Sequence, residues 1–362
     1  MEQNIILDTD VGFDDVFALC LLLWKMSSSG GGGDDDDRKM MNLRAVSTVK
    51  GLQLDTNHAA RIVERILNSC SDLIVGDDDH KFSSLNIDPV SSIKIFSGSQ
   101  ERILPEHGHC FSEGEWFTKE YQYKTDNMAD LLEALPLLNS NKEYEKLNDM
   151  LEWMKSFPDQ YFTLLCTGPL TNIAKLLEMD RELILRKVGK LVIMGGSLFN
   201  ELEQDVLLNG SEWNFYCDGK AAEIVLEAFG TKVELMSIYV ANLRVLNQEQ
   251  IKELASHVHS DRAVQQDELE PIRRMLKKLL TISFDSYAYD PVAATYLFNP
   301  SFFEMRNVKV KVYSEKPLEG LIKEVEYLKT DLERNSGKEV EITAACGFNR
   351  DAFFEMLKSL IA

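Results

Sequence analysis

Basic residues, long apolar runs and paired cysteines are all scarce in this chain of 362 residues. Lysine and arginine total 39 against 59 aspartates and glutamates, a formal net charge of −20. Nucleic acids and anionic membranes are bound through clustered basic side chains, so this balance argues against either partner. No apolar run reaches the ~18 residues of a membrane span. The acidic Glu2, followed at once by a strand-like run, is unlike a signal peptide. We therefore expect a cytoplasmic protein.

The six cysteines are widely scattered, and no two of them form a CxxC pair. Several lie in apolar segments, which is typical of reduced, buried thiols in an intracellular protein. Neither a disulfide framework nor a zinc site is expected from this spacing. The six are Cys20, Cys70, Cys110, Cys166, Cys217 and Cys346.

Strand-like and helix-like runs alternate along the chain, which predicts an α/β fold: a single domain with an open, mainly parallel sheet flanked by helices. After the first strand and helix, strands are predicted at Leu43–Val49, Tyr161–Cys166, Lys190–Met194, Lys232–Met236 and Val308–Tyr313. Helices are predicted at Asn57–Leu67, Leu170–Leu177, Gly219–Phe229 and Gln248–His257. The Ser-, Gly- and Asp-rich residues 27–38 predict a flexible surface loop. Residues 79–124 are less regular and predict a long, functional excursion.

The first predicted strand ends in four aspartates within eight positions: Asp8, Asp10, Asp14 and Asp15. In open α/β sheets, ligands bind beyond the carboxyl ends of the strands. Packed carboxylates repel one another unless a cation or a network of substrate hydroxyls compensates them. A loop of helix-capping aspartates would explain only one or two of the four. A strand that ends in Asp-x-Asp also opens haloacid-dehalogenase-like phosphatases, in which the first Asp is a nucleophile and the second a general acid/base.

Downstream motifs decide between these interpretations. Cys166–Ala174 leaves a strand, turns at Gly-Pro and enters a helix, and Ile193–Gly196 leaves another strand. Glu212–Asp218 precedes a helix, and Asp290-Pro291 opens one. In this order, from Ile5 to about Leu297, the motifs resemble those of the nucleoside hydrolase family. Its members are calcium-dependent enzymes that split ribonucleosides into base and ribose.

The resemblance implies a Rossmann-like nucleoside hydrolase fold, a nucleoside substrate, bound Ca²⁺ and a homodimer or homotetramer. Asp10 matches the carboxylate that binds calcium and activates the attacking water. Asp15, Asp290 and the Thr167 carbonyl match the other calcium ligands, an all-oxygen set that suits Ca²⁺. Asp290 before proline is also compatible with a simple N-cap. The residues that match the family's ribose contacts are Asp14, Met194, Glu212 and Asn214. Met194 is equally consistent with a role in the apolar core alone.

The residue before the Asp-Pro pair indicates the subclass. The broad inosine-uridine type carries a histidine there, which can protonate the leaving base, whereas this chain has Tyr289. The purine-specific type, which prefers inosine, adenosine and guanosine, has an aromatic residue there and a tryptophan in the excursion. Trp116 matches that tryptophan. The two rings would stack on a purine and make its ring nitrogen easier to protonate.

Two departures from the family pattern concern sugar binding. The family reads Thr-Val-x-Gly-Asn after its second strand, whereas Lys50, Gly51 and Leu52 follow Thr48-Val49 here, and Gln53 is a candidate substitute for the missing Asn. The family's Asn after the Met-Gly-Gly turn has three candidates: Asn200, Asp205 and Asn209. These departures leave a second function open, a catalytically impaired protein that binds a nucleoside or a ribose derivative on the same scaffold.

Overall fold

The computed structural model describes residues 2–28, 40–53, 55–71, 92–104, 142–199, 210–241, 246, 249–250, 252–254, 270–283 and 288–361. Nearly all of the 27–38 loop, Trp116, Asn200, Asp205 and Asn209 lie outside these residues. Of the predicted helix Gln248–His257, residues 249–250 and 252–254 are described, and they are helical.

Nine strands form one sheet in the order β3-β2-β1-β4-β5-β6-β9-β7-β8. Strands β1 to β6 and β9 run parallel, and β7 is antiparallel to β8 and β9. The strands are β1 Gln3–Thr9, β2 Met41–Thr48, β3 Lys94–Ser97, β4 Phe162–Cys166, β5 Val188–Met194, β6 Val233–Met236, β7 Phe303–Val312, β8 Ile322–Glu324 and β9 Lys338–Phe348.

Besides the helical residues 249–250 and 252–254, the described residues form eleven α-helices. They are α1 Phe13–Ser28, α2 Thr56–Ser71, α3 Leu147–Lys155, α4 Thr171–Lys187, α5 Trp213–Cys217, α6 Gly219–Phe229, α7 Ile238–Ala241, α8 Glu270–Ser283, α9 Tyr289–Phe298, α10 Asp331–Asn335 and α11 Arg350–Ile361. Short 3₁₀ turns span Gly230–Lys232, Pro300–Phe302 and Val325–Tyr327. None of the helices that the structure describes is long and apolar enough to cross a membrane.

Two apolar clusters cover the sheet. Helices α1, α8, α9 and α11 pack with one of them, and α3, α4 and α6 pack with the other. Strand β1 is buried on both faces, at Ile5 and Leu7 in the first cluster and Ile6 in the second. A strand that is buried on both faces has a continuous apolar sequence, and the Ile5–Leu7 run of β1 fits this rule. The predicted α/β architecture is confirmed.

The predicted elements correspond to β2, β4, β5, β6, β7, α2, α4 and α6 with shifts at their ends. Residues 79–124, predicted to be less regular, contain strand β3, which was not predicted because its four residues are too few to show a pattern. Four of the five described cysteines are buried, as expected, and Cys346 is partly exposed. Cys110 lies outside the described residues.

Candidate functional site

The site lies at the carboxyl ends of β1 and β4, where the sheet reverses its strand order. From β1 the chain continues to β2 and β3 on one side, and β4, β5 and β6 lie on the other. Such a reversal leaves a crevice, and it is the usual binding position in open α/β sheets. Asp8 and Thr9 end β1, Thr167 follows β4, and the Thr167 backbone N–H donates to the Asp8 carbonyl at 2.8 Å.

Three carboxylates meet above this crevice. One oxygen from each of Asp14, Asp15 and Asp290 lies within 4.8 Å of the other two. Asp15 and Asp290 are buried, and their burial raises the pKa of both carboxyl groups well above the ordinary value. Repulsion from Asp10 and Asp14 raises the pKa of both groups further. Carboxylates this close repel one another, and a bound cation or a bound proton would relieve that repulsion.

The donor chemistry fits a hard divalent cation. The buried Oδ1 atom of Asp290 has no hydrogen-bond partner in the part of the chain that the structure describes. An orphaned carboxylate oxygen in a buried acidic cluster is the kind of ligand that Ca²⁺ takes. No histidine or cysteine joins the cluster among the described residues. Asp14, which the resemblance assigns to ribose, belongs to the same cluster as the predicted ligands Asp15 and Asp290.

Asp15 is held by donors on both of its oxygens. The hydroxyls of Thr9 and Thr167 donate to Oδ1 at 2.5 and 2.6 Å, and the Gly12 backbone N–H donates to Oδ2 at 2.8 Å. Gly12 precedes α1 and Asp15 is its third residue, so this carboxylate does cap the helix. The capping interpretation is therefore correct for Asp15. It does not account for Asp290, which stands second in α9 behind the N-cap Ala288.

The Asp10 carboxylate is oriented by the segment that follows β2. The Leu52 backbone N–H donates to Asp10 Oδ2 at 2.7 Å. A Cβ on Gly51 would overlap that same oxygen and lie 2.6 Å from the Asp10 Cβ, so only glycine fits there. On the other side, a Cβ on Gly168 would lie 2.8 Å from the Asp10 backbone nitrogen. The loop that carries Asp10 is thus enclosed between two glycines.

Val11, the residue after Asp10, has the positive φ of 56°. For a β-branched side chain this left-handed conformation costs roughly 1–2 kcal/mol and requires support from its surroundings. The Val11 side chain is buried, and its N–H donates to Thr9 Oγ1 at 3.0 Å. The strain lies directly between the predicted base and the helix that carries Asp14 and Asp15.

A buried network beneath the site fixes the end of β1. Asp8 Oδ1 accepts hydrogen bonds from the Ser47 hydroxyl at 2.5 Å and from Asn172 Nδ2 at 2.7 Å. Burial raises the pKa of Asp8 to about 7, although these two donors act in the opposite direction. Asn172 also donates to the Thr48 carbonyl at 3.1 Å and accepts from the Ser99 N–H at 2.7 Å. One amide therefore ties β1 to β2 and to the loop after β3.

Glu212 and Asn214 lie on the β5 side of the crevice. Glu212 is the N-cap of α5, and its carboxylate accepts from the backbone N–H groups of Gly196, Asn214 and Phe215 at 2.8, 2.7 and 3.2 Å. Burial raises the pKa of Glu212 to about 7. Asn214 Nδ2 donates to the carbonyls of Thr167 and Met194 at 3.0 and 3.3 Å.

The structure brings most of the predicted site residues to this crevice. Asn214 links Thr167 to Met194, and its Nδ2 also lies 3.6 Å from the Met194 sulfur. Met194 is itself buried in the core, so it is a core residue as well as a neighbour of the site. Tyr289 is half-buried against the same core cluster and directly precedes Asp290.

Residues 5–355 match the family model of the inosine-uridine preferring nucleoside hydrolases. The chain belongs to this nucleoside hydrolase family. It is therefore a hydrolase that acts on the N-glycosyl bonds of ribonucleosides.

Individual nucleoside hydrolases resemble the chain over its whole length. The pyrimidine-specific ribonucleoside hydrolase RihA of Shewanella sp. (strain MR-4) is 25% identical, over 100% of this chain and 97% of the relative. The fold resembles an inosine-guanosine nucleoside hydrolase with a TM-score of 0.69 and 19% identity, over 100% of this chain and 99% of that structure. It also resembles the inosine-uridine preferring enzyme of Bacillus anthracis, with a TM-score of 0.65 and 20% identity over 99% of both chains.

Several residues of this nucleoside hydrolase site were missed at the level of sequence. Thr167 was predicted through its carbonyl, but its hydroxyl also binds Asp15. Asn172 and Ser47, which hold Asp8, were not predicted. A polar Asn between apolar residues at the start of a buried helix was the signal available for Asn172. Gln53, considered as a substitute sugar contact, instead donates its side-chain amide to the Val11 carbonyl at 3.3 Å.

Proposed function

We propose that the protein hydrolyses ribonucleosides to free base and ribose with Ca²⁺ at the acidic cluster and Asp10 as the general base. The observation that carries this proposal is the cluster of the buried Asp15 and Asp290 with the half-buried Asp14, in which the Asp290 Oδ1 atom has no hydrogen-bond partner among the described residues. Asp10, Asp15, Asp290 and the Thr167 carbonyl would hold the cation. A bound Ca²⁺ would supply a water of lowered pKa.

Asp10 suits the role of base because its position is fixed from several sides. Its Oδ2 atom is bound by the Leu52 N–H, and its charge is close enough to raise the pKa of Asp15, Asp290 and Glu212. A carboxylate fixed beside the cation site lies within reach of a water bound there, which is the placement that a general base requires. The attack would then occur at the anomeric carbon on the side of the ribose that faces the cluster.

The ribose contacts follow the same edge of the sheet. We propose Asp14, Glu212 and Asn214 for the hydroxyls and Met194 for the apolar side of the sugar. Asp14 lies in the cluster itself, and Asn214 reaches the Thr167 carbonyl. Glu212 already accepts three backbone N–H groups, so its contribution would come from the lone pairs that remain.

We expect purified protein to contain calcium in a one-to-one ratio, because the cluster offers oxygen ligands alone among the described residues. Elemental analysis after exhaustive purification measures it. As a control, Asp290→Asn should lower the calcium content, since it removes the charge of the residue with the orphaned oxygen. Stoichiometric zinc without calcium would contradict the assignment.

For the base, we propose a preference for purine nucleosides such as inosine, guanosine and adenosine. This proposal is supported by Tyr289, which directly precedes Asp290. The resemblance implies that the broad-specificity type has a histidine at this position, which protonates the leaving base. Without such an acid, the leaving base must take a proton on its own ring, which purine N7 allows more readily than uracil. Trp116, the second proposed ring, lies outside the described residues. A pyrimidine preference is the second candidate, since the RihA relative is named as pyrimidine-specific.

A nucleoside panel separates these candidates. We expect inosine, guanosine and adenosine to be hydrolysed faster than uridine and cytidine, measured by reducing-sugar release with and without a calcium chelator. Trp116→Ala should lower the rate constant for inosine, because stacking strengthens as the purine is protonated. Trp116→Phe should recover part of that loss.

Four results would contradict the panel prediction. Uridine turnover as fast as that of inosine would reject purine preference, and so would an unchanged inosine rate in Trp116→Ala. Binding of nucleosides without turnover by the calcium-loaded protein would identify the impaired binding protein instead. Phosphate release from phosphate esters, without sugar release from nucleosides, would identify a haloacid-dehalogenase-like phosphatase instead.

A further inference from the structure

Gln53 contacts two consecutive backbone carbonyls in the loop that carries Asp10. Its backbone N–H donates to the Asp10 carbonyl, and its side-chain Nε2 donates to the Val11 carbonyl, both at 3.3 Å. The neighbouring Leu52 N–H donates to Asp10 Oδ2. Residues 52 and 53 therefore contact the Asp10 side chain, the Asp10 carbonyl and the Val11 carbonyl.

The loop needs this support because Val11 is strained. Its φ of 56° lies where β-branched residues are rare, and such conformations persist only where the surroundings over-determine them. The Thr9 hydroxyl holds the Val11 N–H, and the core holds its side chain. Gln53 holds the remaining polar group, the carbonyl.

Gln53 is itself attached to fixed structure. Val49 N–H donates to the Thr9 carbonyl at 2.9 Å and extends the pairing of β1 with β2. Lys50 N–H donates to the Ser99 carbonyl at 3.2 Å, and Leu52 is buried. The segment from Val49 to Gln53 is thus anchored on two neighbouring strand ends, and it can transmit that rigidity to the Asp10 loop.

We propose that Gln53 is a positioning residue, which holds the Asp10–Val11 turn in its strained conformation and thereby aims the Asp10 carboxylate. This inference rests on the proposed role of Asp10 as general base. It assigns Gln53 a function other than sugar binding. It also explains how Leu52 serves the site although its side chain is apolar, since its contribution is the backbone N–H.

The test is a double-mutant cycle between Gln53→Met and Val11→Gly. Methionine keeps the length of glutamine but cannot donate, and glycine adopts a positive φ without strain. In the wild-type background, Gln53→Met should lower kcat roughly 5- to 30-fold, below the ~10²-fold that a 1 Å misplacement can cause. KM should change less than about threefold, because the substrate contacts stay in place. In the Val11→Gly background, the kcat loss from Gln53→Met should shrink to less than about threefold, since the strain that Gln53 opposes is gone.

Gln160→Met is the matched control. Gln160 has a positive φ as Val11 does, and its side-chain amide, like that of Gln53, donates to backbone carbonyls, those of Arg186 at 3.0 Å and Leu185 at 3.5 Å. It precedes β4 and so lies at the opposite edge of the sheet from the site. Its replacement should leave kcat within about twofold of wild type, because local changes far from the chemistry act on stability.

Thermal unfolding and titration with CaCl₂ alone provide readouts independent of turnover. Gln53→Met should lower Tm and calcium affinity, and both losses should be smaller when Val11 is glycine. Equal losses in the two backgrounds, or a wild-type kcat in Gln53→Met, would overturn the inference. If Gln53→Met does not fold, Gln53→Glu removes the same donor and undergoes the same cycle. A wild-type protein that hydrolyses no nucleoside but shows the coupling in Tm would refute the proposed function and the aiming of a base, and it would leave only the support of the Val11 turn by Gln53.

Discussion

Asp10→Ala is expected to abolish nucleoside hydrolysis in a protein that still folds. Removal of a general base alone typically lowers the rate ~10²–10⁴-fold, and loss of a calcium ligand adds to that. The fold should persist because Asp10 raises the pKa of Asp15 and Asp290 by repulsion, so its removal relieves strain among the acids. Initial rates with inosine and uridine, together with Tm, measure both parts.

Asp10→Asn separates the two roles of this residue. An amide oxygen can still accept the Leu52 N–H and bind calcium weakly, but it cannot take a proton from water. We expect it to keep more calcium than Asp10→Ala while it loses most of the rate. Asp159→Ala is the control, since Asp159 is exposed at the turn before β4 and pairs with Arg186 and Lys187. If Asp10→Ala retains more than about a tenth of the wild-type rate, Asp10 is not the base.

Four of the strands that the sequence predicts have a largely apolar run. Strands β1, β4, β5 and β6 are buried on both faces, and each is followed by turn or capping residues. The sequence analysis gives no bounds for strand β9, although exposed and buried residues alternate from Glu339 to Ile342. Its pairing with β7 is long-range and antiparallel, so tertiary contacts rather than local pattern create it.

In the site, too, the residues that lie close together in the sequence could be predicted, and those that come from distant segments could not. The carboxylates of the first loop could be identified because four acids crowded at a strand end repel one another unless they bind a cation or a substrate. Their supports were not identified, since each depends on contact between distant segments. Asn172 reaches Asp8 across 164 positions, and Leu52 reaches Asp10 across 42. At Leu52 the side chain was misleading because the backbone makes the contact.

Gly51→Ala is expected to reduce kcat about 100-fold, the effect of misplacing a reacting group by about 1 Å. The added Cβ would overlap Asp10 Oδ2 and lie 2.6 Å from the Asp10 Cβ. Rotation of the Asp10 side chain can move the oxygen, but it cannot move the Cβ, so the loop backbone must shift. Overpacking of this kind also destabilises a fold by typically ~1–3 kcal/mol, so Tm should fall as well.

Gly189→Ala is the matched control for this substitution. A Cβ on Gly189 would lie 3.2 Å from the Gln160 carbonyl oxygen, a tight contact near the start of β5 and far from the carboxyl edge. It should lower Tm with kcat unchanged within about twofold, because it strains the fold without reaching the base. The two alanines thus separate loss of stability from loss of positioning. A Gly51→Ala protein with the kcat of wild type would show that the approach of Gly51 to Asp10 does not orient the base, because the loop would have shifted without effect on proton transfer.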